Sequence, residues 1–407
     1  VIMTLINQLP YILNFLRNES WIKALNSKGN TYIVGGCVRD IFSERKIKDI
    51  DIIVEGISMD LIQEILKDYG VVDTVGKSFA VIKFRPKDFK REYYDISVPR
   101  IDRKIGNGHK GFVVETNGVS LLEDLKRRDF TINSMAVRIC DGELIDPFNG
   151  VFDLKNGILR AVDNIAFAED PLRIIRGIQF ASRFGYKITP ETMKLMRENS
   201  HLIKDISGER IFDEFIKILN NNGNVKIALS LIRRTYVDKA LFGKKILKYN
   251  SKIKYLDPIS FFYILGTLGD VHPADFLKKR LRGDRKLEKS VRALCSILEI
   301  LKNTTDEEDK RYLIFKTFIS APDVMNAVIL PKEAKRIVLQ MRSHEIPMKN
   351  EDISIKGGDI KKIANIEEGP EIGDIKERMI RDALMNRFNW KNKEKSLEYL
   401  IKTLYSI

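Results

Sequence analysis

The sequence predicts an α+β chain: an α/β head over residues 1–148, then helical segments through residue 407. Three observations carry this. Between residues 31 and 148, short β-rich apolar runs alternate with helix-compatible stretches. From about residue 160 onward apolar residues recur every three and four positions, the helical period. And 407 residues are too many for one compact core and enough for about three domains.

Residues 1–30 read as an amphipathic helix (Leu5, Leu9, Ile12, Leu13, Leu16) with a loop. Strands are expected at 31–35, 49–54, 71–75, 79–85, 93–98 and 134–139, and Asp146-Pro147 closes the head. A helical neck is expected over 149–223, ending at the break Asn220-Asn221-Asn222-Gly223. A helical body (224–349) and tail (350–407) follow, with joints near Asp257-Pro258, Thr304-Thr305 and Lys349-Asn350.

Hydrophobic residues make up 44% of the chain, as in a globular protein, and the net charge is +14. Such an excess asks for a polyanionic partner or an anionic surface. No apolar run approaches the ~20 residues of a membrane span, and Val1 to Gly29 lacks the order of a secretory signal. Cys37, Cys140 and Cys295 are few, odd in number and without metal spacing, which suits a reducing cytoplasm. Cys37 reads as a small packing residue. His109, His201, His272 and His344 are scattered and read as surface or capping residues.

The stretch from Tyr32 to Glu55 concentrates the chemistry. An apolar run ends in Gly35-Gly36, a helix-compatible segment carries Arg39 and Asp40, and a second apolar run opens with Asp49 and Asp51. Backbone N–H groups at a glycine turn leading into a helix bind anions, and Arg39 adds a charged fork. Taken alone, Gly-Gly is weak evidence and reads as an ordinary strand-to-helix turn. On a strand, Asp49 and Asp51 would project from one face while Ile50 and Ile52 enter the core. Two carboxylates on one face repel unless a cation joins them, and hard oxygen ligands suit Mg²⁺ with substrate phosphates.

GGCVRD followed by DID resembles motif A of the class II nucleotidyltransferases. These are the CCA-adding enzymes, the separate CC- and A-adding enzymes and bacterial poly(A) polymerases, within the DNA polymerase beta superfamily. Further segments match in the family's order: Arg127-Arg128-Asp129 resembles the ribose-selecting motif, and Glu169-Asp170-Pro171-Leu172-Arg173 the nucleobase motif. Ser207, Glu209 and Arg210 resemble the last neck motif, and ISIKGGDIKKI with GPEIGDIKERM is similar to the tail of many bacterial members. The resemblance is dense over about 31–219, thin over about 225–340, and returns near 351–400.

This resemblance implies a polymerase-beta-like head in which Asp49 and Asp51 hold two divalent ions, with Asp95 either completing the site or serving as a strand-end carboxylate. Gly35, Gly36, Arg39, Arg128, Asp129 and Asn133 would bind nucleotide, Asn133 sharing a face with Arg128 and Asp129 if the segment is helical. Asp170 would accept from the exocyclic amino group shared by CTP and ATP, and Arg173 would donate to the neighbouring ring nitrogen. UTP and GTP present the reverse polarity, and such unpaired buried contacts cost on the order of 10⁴–10⁵ in rate. The alternative reading of that pair is an intrahelical salt bridge. Arg176 lies one turn on, and Gln179 stands where some relatives carry arginine.

Arg100 to Phe112 is glycine-rich and basic, and its position matches the family's flexible loop, which makes Arg100, Asp102, Arg103 and Lys104 candidates. Lys278, Lys279, Arg280, Arg282, Arg285 and Lys286 form a basic cluster, either a solvated helix face or contacts to RNA phosphates. The resemblance also implies that Gly357, Gly358, Gly369 and Gly373 shape tail loops near the tRNA elbow. No HD dipeptide with ligand-spaced histidines occurs, so the phosphohydrolase domain of some relatives is not expected. The expected activity is template-independent addition of C, C and A to tRNA from CTP and ATP, with Mg²⁺. The alternatives are an A-adding enzyme, a poly(A) polymerase, or a non-catalytic RNA-binding protein.

Overall fold

The computed structural model describes residues 8–47, 49–74, 81–87, 93–104, 112–367 and 369–405. The chain divides into two compact units, one reaching to Tyr255 and one starting at Leu256. The expected boundaries at 148 and 223 thus fall inside the first unit, and that at 349 inside the second.

The first unit opens with helices α1 (Gln8–Asn18) and α2 (Ser20–Asn26). A mixed sheet follows, built from β1 (Asn30–Val34), β2 (Asp51–Glu55), β3 (Gly70–Thr74), β4 (Val81–Pro86), β5 (Tyr94–Ser97), β8 (Ala136–Arg138) and β9 (Leu144–Ile145). Its spatial order is β3-β4-β5-β2-β1-β8-β9. Only β2 and β5 pair in parallel; the other neighbours are antiparallel. β1 and β2 occupy the middle and are covered on both faces, which is why they read as continuous apolar runs rather than alternating ones. Tyr32, Val34 and Ile53 pack with Leu121 and Leu125 of α5 (Leu121–Lys126). Trp21 of α2 sets its ring 5.0 Å from both Phe84 and Tyr94.

Helix α3 (Gly36–Phe42) follows β1, and α4 (Met59–Lys67) joins β2 to β3. A separate antiparallel pair, β6 (Ile101–Lys104) with β7 (Phe112–Glu115), frames the segment expected to be a flexible loop. Residues 105–111 of that loop, with His109, lie outside the described residues.

The remainder of this unit is helical: α6 (Gly150–Lys155), α7 (Asn164–Glu169), α8 (Leu172–Phe184), α9 (Pro190–Glu198), α10 (Gly208–Asn220), α11 (Val225–Arg234) and α12 (Val237–Phe242). The expected all-α neck is corrected in one respect. Two-residue strands β10 (Ile158–Leu159) and β11 (Lys187–Ile188) pair in parallel. They are too short for a periodic pattern, and β11 follows directly on the left-handed cap of α8 at Gly185.

The second unit holds α13 (Pro258–Leu268), α14 (Pro273–Lys279), α15 (Arg285–Asn303), α16 (Glu307–Ser320), α17 (Lys332–Arg342), α18 (Gly357–Ala364), α19 (Pro370–Leu384) and α20 (Lys393–Tyr405). Breaks fall near the expected joints: Asp257 caps α13, and Thr304 ends α15. The tail glycines do not all shape loops: Gly357 and Gly358 open α18, and Gly373 lies within α19. No described helix is long and apolar enough to cross a membrane.

Candidate active site

A cavity of about 560 Å³ in the first unit gathers residues from six separate stretches of chain, including Gly35, Asp51, Arg128, Asp170, Arg173 and Arg210. Seven arginines (39, 100, 127, 128, 173, 176 and 210) and three aspartates (51, 129 and 170) line it. That excess of positive charge suits a polyphosphate.

The Gly-Gly turn sits where β1 gives way to α3. Gly35 has φ +70°, and a β-carbon there would lie 2.5 Å from Arg128 Nη1. The turn therefore needs glycine both for its backbone and for the guanidinium seated against it. Arg39 is buried in α3. It donates to Asp40 Oδ1 (2.9 Å) and to Asn133 Oδ1 (2.7 Å), and its guanidinium lies over the rings of Phe180 and Phe184 of α8. Burial, followed by the charges of Asp51 and Asp40, pushes the Cys37 thiol up to about 12, in keeping with a packing residue.

The carboxylates need a correction. Strand β2 begins at Asp51, so Asp49 lies ahead of it and is exposed; strand alternation does not place the two on one face. What stands beside Asp51 in the sheet is Asp95, its direct parallel register partner on β5. Burial, then the charges of Asp95 and Asp49, push the Asp51 carboxyl above the usual range, against the pull of Arg128 and Lys83. Lys83 on β4 pairs with Asp95 at 3.2 Å. Among the described residues no three acidic, histidine or cysteine side chains form a metal cage. Of these three carboxylates Asp51 lines the cavity, and hard oxygens under mutual repulsion are donors that could hold a divalent cation.

Helix α5 ends in the Arg127-Arg128-Asp129 stretch. Ser120 and Glu123 cap its start, and its apolar face on the sheet aims its C-terminus at the cavity. The segment then turns into a short 3₁₀ stretch, Thr131–Asn133, rather than continuing as a helix. Asn133 still meets Asp129, donating from Nδ2 to Oδ1 at 3.0 Å. Asp129 is buried and already committed: it also accepts from its neighbour's backbone at Phe130 (2.8 Å) and from Arg176 Nε (2.8 Å). Burial works to raise its carboxyl, but Arg176 and Asn133 outweigh it and hold it low. In this structure Asp129 is an organiser of the site.

Asp124 is a residue the sequence reading missed. It is 1% exposed and accepts from Arg127 Nη2 (2.6 Å), Arg128 Nη2 (3.0 Å) and the backbone N–H of Arg100 (3.3 Å). Burial opposes its ionisation, yet Arg128 and Arg127 keep it below the ordinary carboxylate range. Its spacing of three and four from the two arginines was the available signal.

The proposed nucleobase pair is held by other partners. Asp170 follows α7 with extended backbone and accepts from Leu172 N (3.1 Å), so it is not on the same helix as Arg173. Its carboxylate pairs with Arg210 of α10 at 3.1 Å. Arg173 donates to the carbonyls of Ala166 and Arg127, both at 2.5 Å. Arg210 belongs to the neck motif noted in the sequence, but nothing local placed it in the cavity.

Arg176 lines the cavity between Asp129 (2.7 Å) and the buried Glu214 (3.9 Å). Gln179 does not line it: the side chain is 1% exposed within α8, and its Nε2 has no hydrogen-bond partner among the described residues. Of the loop candidates Arg100 lines the cavity, whereas the side chains of Asp102, Arg103 and Lys104 on β6 lie outside what is described. In the second unit Lys278, Lys279, Arg282, Arg285 and Lys286 are exposed and Arg280 is half-buried; Lys279 pairs with Asp275 and Lys286 with Asp323.

Two family models match the chain. One, described as the poly A polymerase head domain, covers residues 31–160, and the other, described as a probable RNA and SrmB-binding site of polymerase A, covers 185–242. The chain is 29% identical over 415 residues to a CCA-adding enzyme of Bacillus cereus, spanning 95% of this chain and 98% of that one. It is 41% identical over 199 residues to a multifunctional CCA protein of Nitrosococcus oceani, spanning 47% of this chain and 45% of that protein, less than half its length. The crystal structure of the Bacillus stearothermophilus CCA-adding enzyme in complex with CTP superposes with a TM-score of 0.71 at 20% identity, covering 95% of this chain and 96% of that one, and so shares the fold.

Proposed function

We infer that this chain, which belongs to the tRNA nucleotidyltransferase and poly(A) polymerase family, adds C, C and A to the 3′ end of tRNA from CTP and ATP with release of pyrophosphate. The observation that carries this reading is the single cavity in which a carboxylate on β2, two arginines after α5 and the Asp170–Arg173 pair converge. A binding module needs no desolvated carboxylate there. The names of the relatives favour full CCA addition over A addition or poly(A) synthesis.

The chain's own residues would act as follows. Asp49 and Asp51, with Asp95 alongside, would hold Mg²⁺. When bound, the metal supplies activation of the RNA 3′-hydroxyl and neutralisation of the triphosphate. Arg128, braced by Asp124 and seated on Gly35, would bind the triphosphate, with Arg39 fixing the turn beneath it. Arg173 has two donors taken by backbone carbonyls, which set the plane of its fork and leave the remaining N–H groups for a base. Asp170, steadied by Arg210, keeps lone pairs for an exocyclic amino group. Such preset polarity would select C and A without a nucleic-acid template. Exposed lysines and arginines of the second unit, Lys278 to Lys286, would contact RNA phosphates. A cytoplasmic location is part of this reading.

The test incubates purified protein and Mg²⁺ with labelled tRNA ending at the discriminator base, supplying CTP, ATP or both. Two additions with CTP and a third only when ATP is present are expected. ATP addition to tRNA ending in CC without use of CTP would make it an A-adding enzyme, long A tails on unrelated RNA a poly(A) polymerase, and binding without addition would sink the enzymatic reading.

A further inference from the structure

Four polar side chains of the reaction cavity form a chain of hydrogen bonds. Arg39 Nη1 donates to Asn133 Oδ1 (2.7 Å), Asn133 Nδ2 donates to Asp129 Oδ1 (3.0 Å), and Arg176 Nε donates to Asp129 Oδ2 (2.8 Å). The chain runs from α3, beside the Gly35-Gly36 turn, through the stretch after α5, to α8. Phe180 of α8 closes it into a circuit: the guanidiniums of Arg39 and Arg176 each lie over its ring, 5.4 Å from the centroid. Both arginines line the cavity and the ring does not.

Arg39 directs donors in its plane at Asp40 and Asn133. Such bonds hold the edge of a guanidinium and leave its faces unrestrained. Phe180 and Phe184 meet those faces, Phe184 at 5.2 Å. An aromatic ring attracts a cation, more so away from water, whereas an aliphatic side chain would fill the space without that attraction. The rings are themselves fixed. Phe180 stacks on Phe184 (5.8 Å, 17°) and meets Phe130 edge-on (5.8 Å, 88°). Phe130 follows Asp129 directly and donates its backbone N–H to that carboxylate. Arg45 rests on Phe184 as well, at 3.8 Å, which ties the segment after α3 to the same ring.

We propose that Phe180, supported by Phe184, is a positioning residue for the nucleotide: by holding Arg39 and Arg176 against one ring, it fixes the spacing between the turn that takes the triphosphate and the helix that reads the base. A nucleotide spans both halves, so it meets that spacing in the ground state and the transition state alike. Loss of the ring therefore falls on KM and on the dissociation constant rather than on kcat. The choice of CTP as the nucleotide rests on the proposed function.

The experiment compares full-length wild type with Phe180→Leu, Phe184→Leu, Phe184→Tyr and a control, Phe84→Leu. Phe84 is a buried ring of β4 that packs on Trp21 and lies outside the cavity. Calorimetry gives the dissociation constant for CTP, and addition to labelled tRNA with CTP varied gives KM and kcat. Phe180→Leu and Phe184→Leu should raise KM and the dissociation constant for CTP about five- to tenfold, with kcat within about threefold of wild type. Phe184→Tyr keeps the aromatic face at a half-buried position and should bind CTP like wild type. The control should lose thermal stability without a change in either constant. Unchanged CTP binding in Phe180→Leu, or an equal rise in the control, overturns the proposal. If Phe180→Leu does not fold, the pair at Phe184 decides: a leucine variant that binds like wild type, or a tyrosine variant as impaired as the leucine one, overturns it. Absence of addition by wild type would overturn the proposed function instead, while the CTP dissociation constants still decide the role of the rings.

Discussion

Arg128 fills the space that a β-carbon on Gly35 would need, its Nη1 standing 2.5 Å from that position. The glycine is thus matched to a side chain far along the sequence as well as to its own backbone. Gly35→Ala should cost about 1–3 kcal/mol of stability from the positive φ alone. Displacing Arg128 by about an ångström should lower kcat/KM on the order of 10²-fold. Thermal unfolding and steady-state kinetics check both.

Asp51→Asn should abolish nucleotide addition, by on the order of 10³-fold or more, while tRNA binding persists. It should also stabilise the protein at neutral pH. The Asp51 carboxyl is pushed up in the fold by burial and by Asp95 and Asp49, so the folded state prefers it protonated. The cost is absent below the unfolded pKa and full above the folded one. The variant should therefore melt above wild type at neutral pH, with the gap closing as pH falls toward 4. Melting curves at several pH values, without added metal, decide this; an Asn variant melting below wild type at pH 7 would refute it.

Asp124→Asn should weaken substrate binding more than its distance from the reaction suggests. The carboxylate is buried between two guanidiniums, and removing one partner of such a group costs about 3–5 kcal/mol. An amide keeps part of the hydrogen bonding, so a loss toward the lower end is expected, with a raised KM for nucleotide. The Asp124 carboxyl is held low, so its contribution is present above the unfolded pKa and fades as pH falls through the folded one. Wild type should lose stability in that acid window faster than the variant, which urea titrations at pH 2 to 5 would show.

Asp170→Asn should relax base choice, letting UTP compete with CTP, because an amide presents a donor as well as an acceptor. Discrimination should fall by at least about tenfold, one bidentate contact in a desolvated site being worth more than that. Arg210→Ala frees the same carboxylate without removing it, so it should lower the rate yet retain the preference for C and A. Competition assays with paired nucleotides separate the two.

Much of this was legible in the chain. The turn at Gly35-Gly36, the strands that flank it and the helical run after residue 160 follow from local spacing, and local hydrogen bonding realises local spacing. Asp49-Ile50-Asp51 alternates like a strand, yet pairing with β1 and β5 takes up β2 only from Asp51 onward. The pair β10–β11 is not legible in the sequence, because two residues carry no period. Gln179 stands one turn beyond Arg176, where some relatives carry arginine, but its place on α8 turns it into the packed interior.

The sequence by itself determined which chemical groups are available and their order: a glycine turn, two aspartates, a pair of arginines, an aspartate–arginine step. Spacing within a few residues is enough to specify such units. The tertiary structure alone decided their partners. Arg39 reaches Asn133 across 94 residues and Arg210 reaches Asp170 across 40, while Asp95 arrives beside Asp51 through the parallel register of two strands. Those encounters also settle which carboxylates are strained and which are satisfied. Burial and the nearest opposite charge set that balance, and neither exists until separate elements pack together.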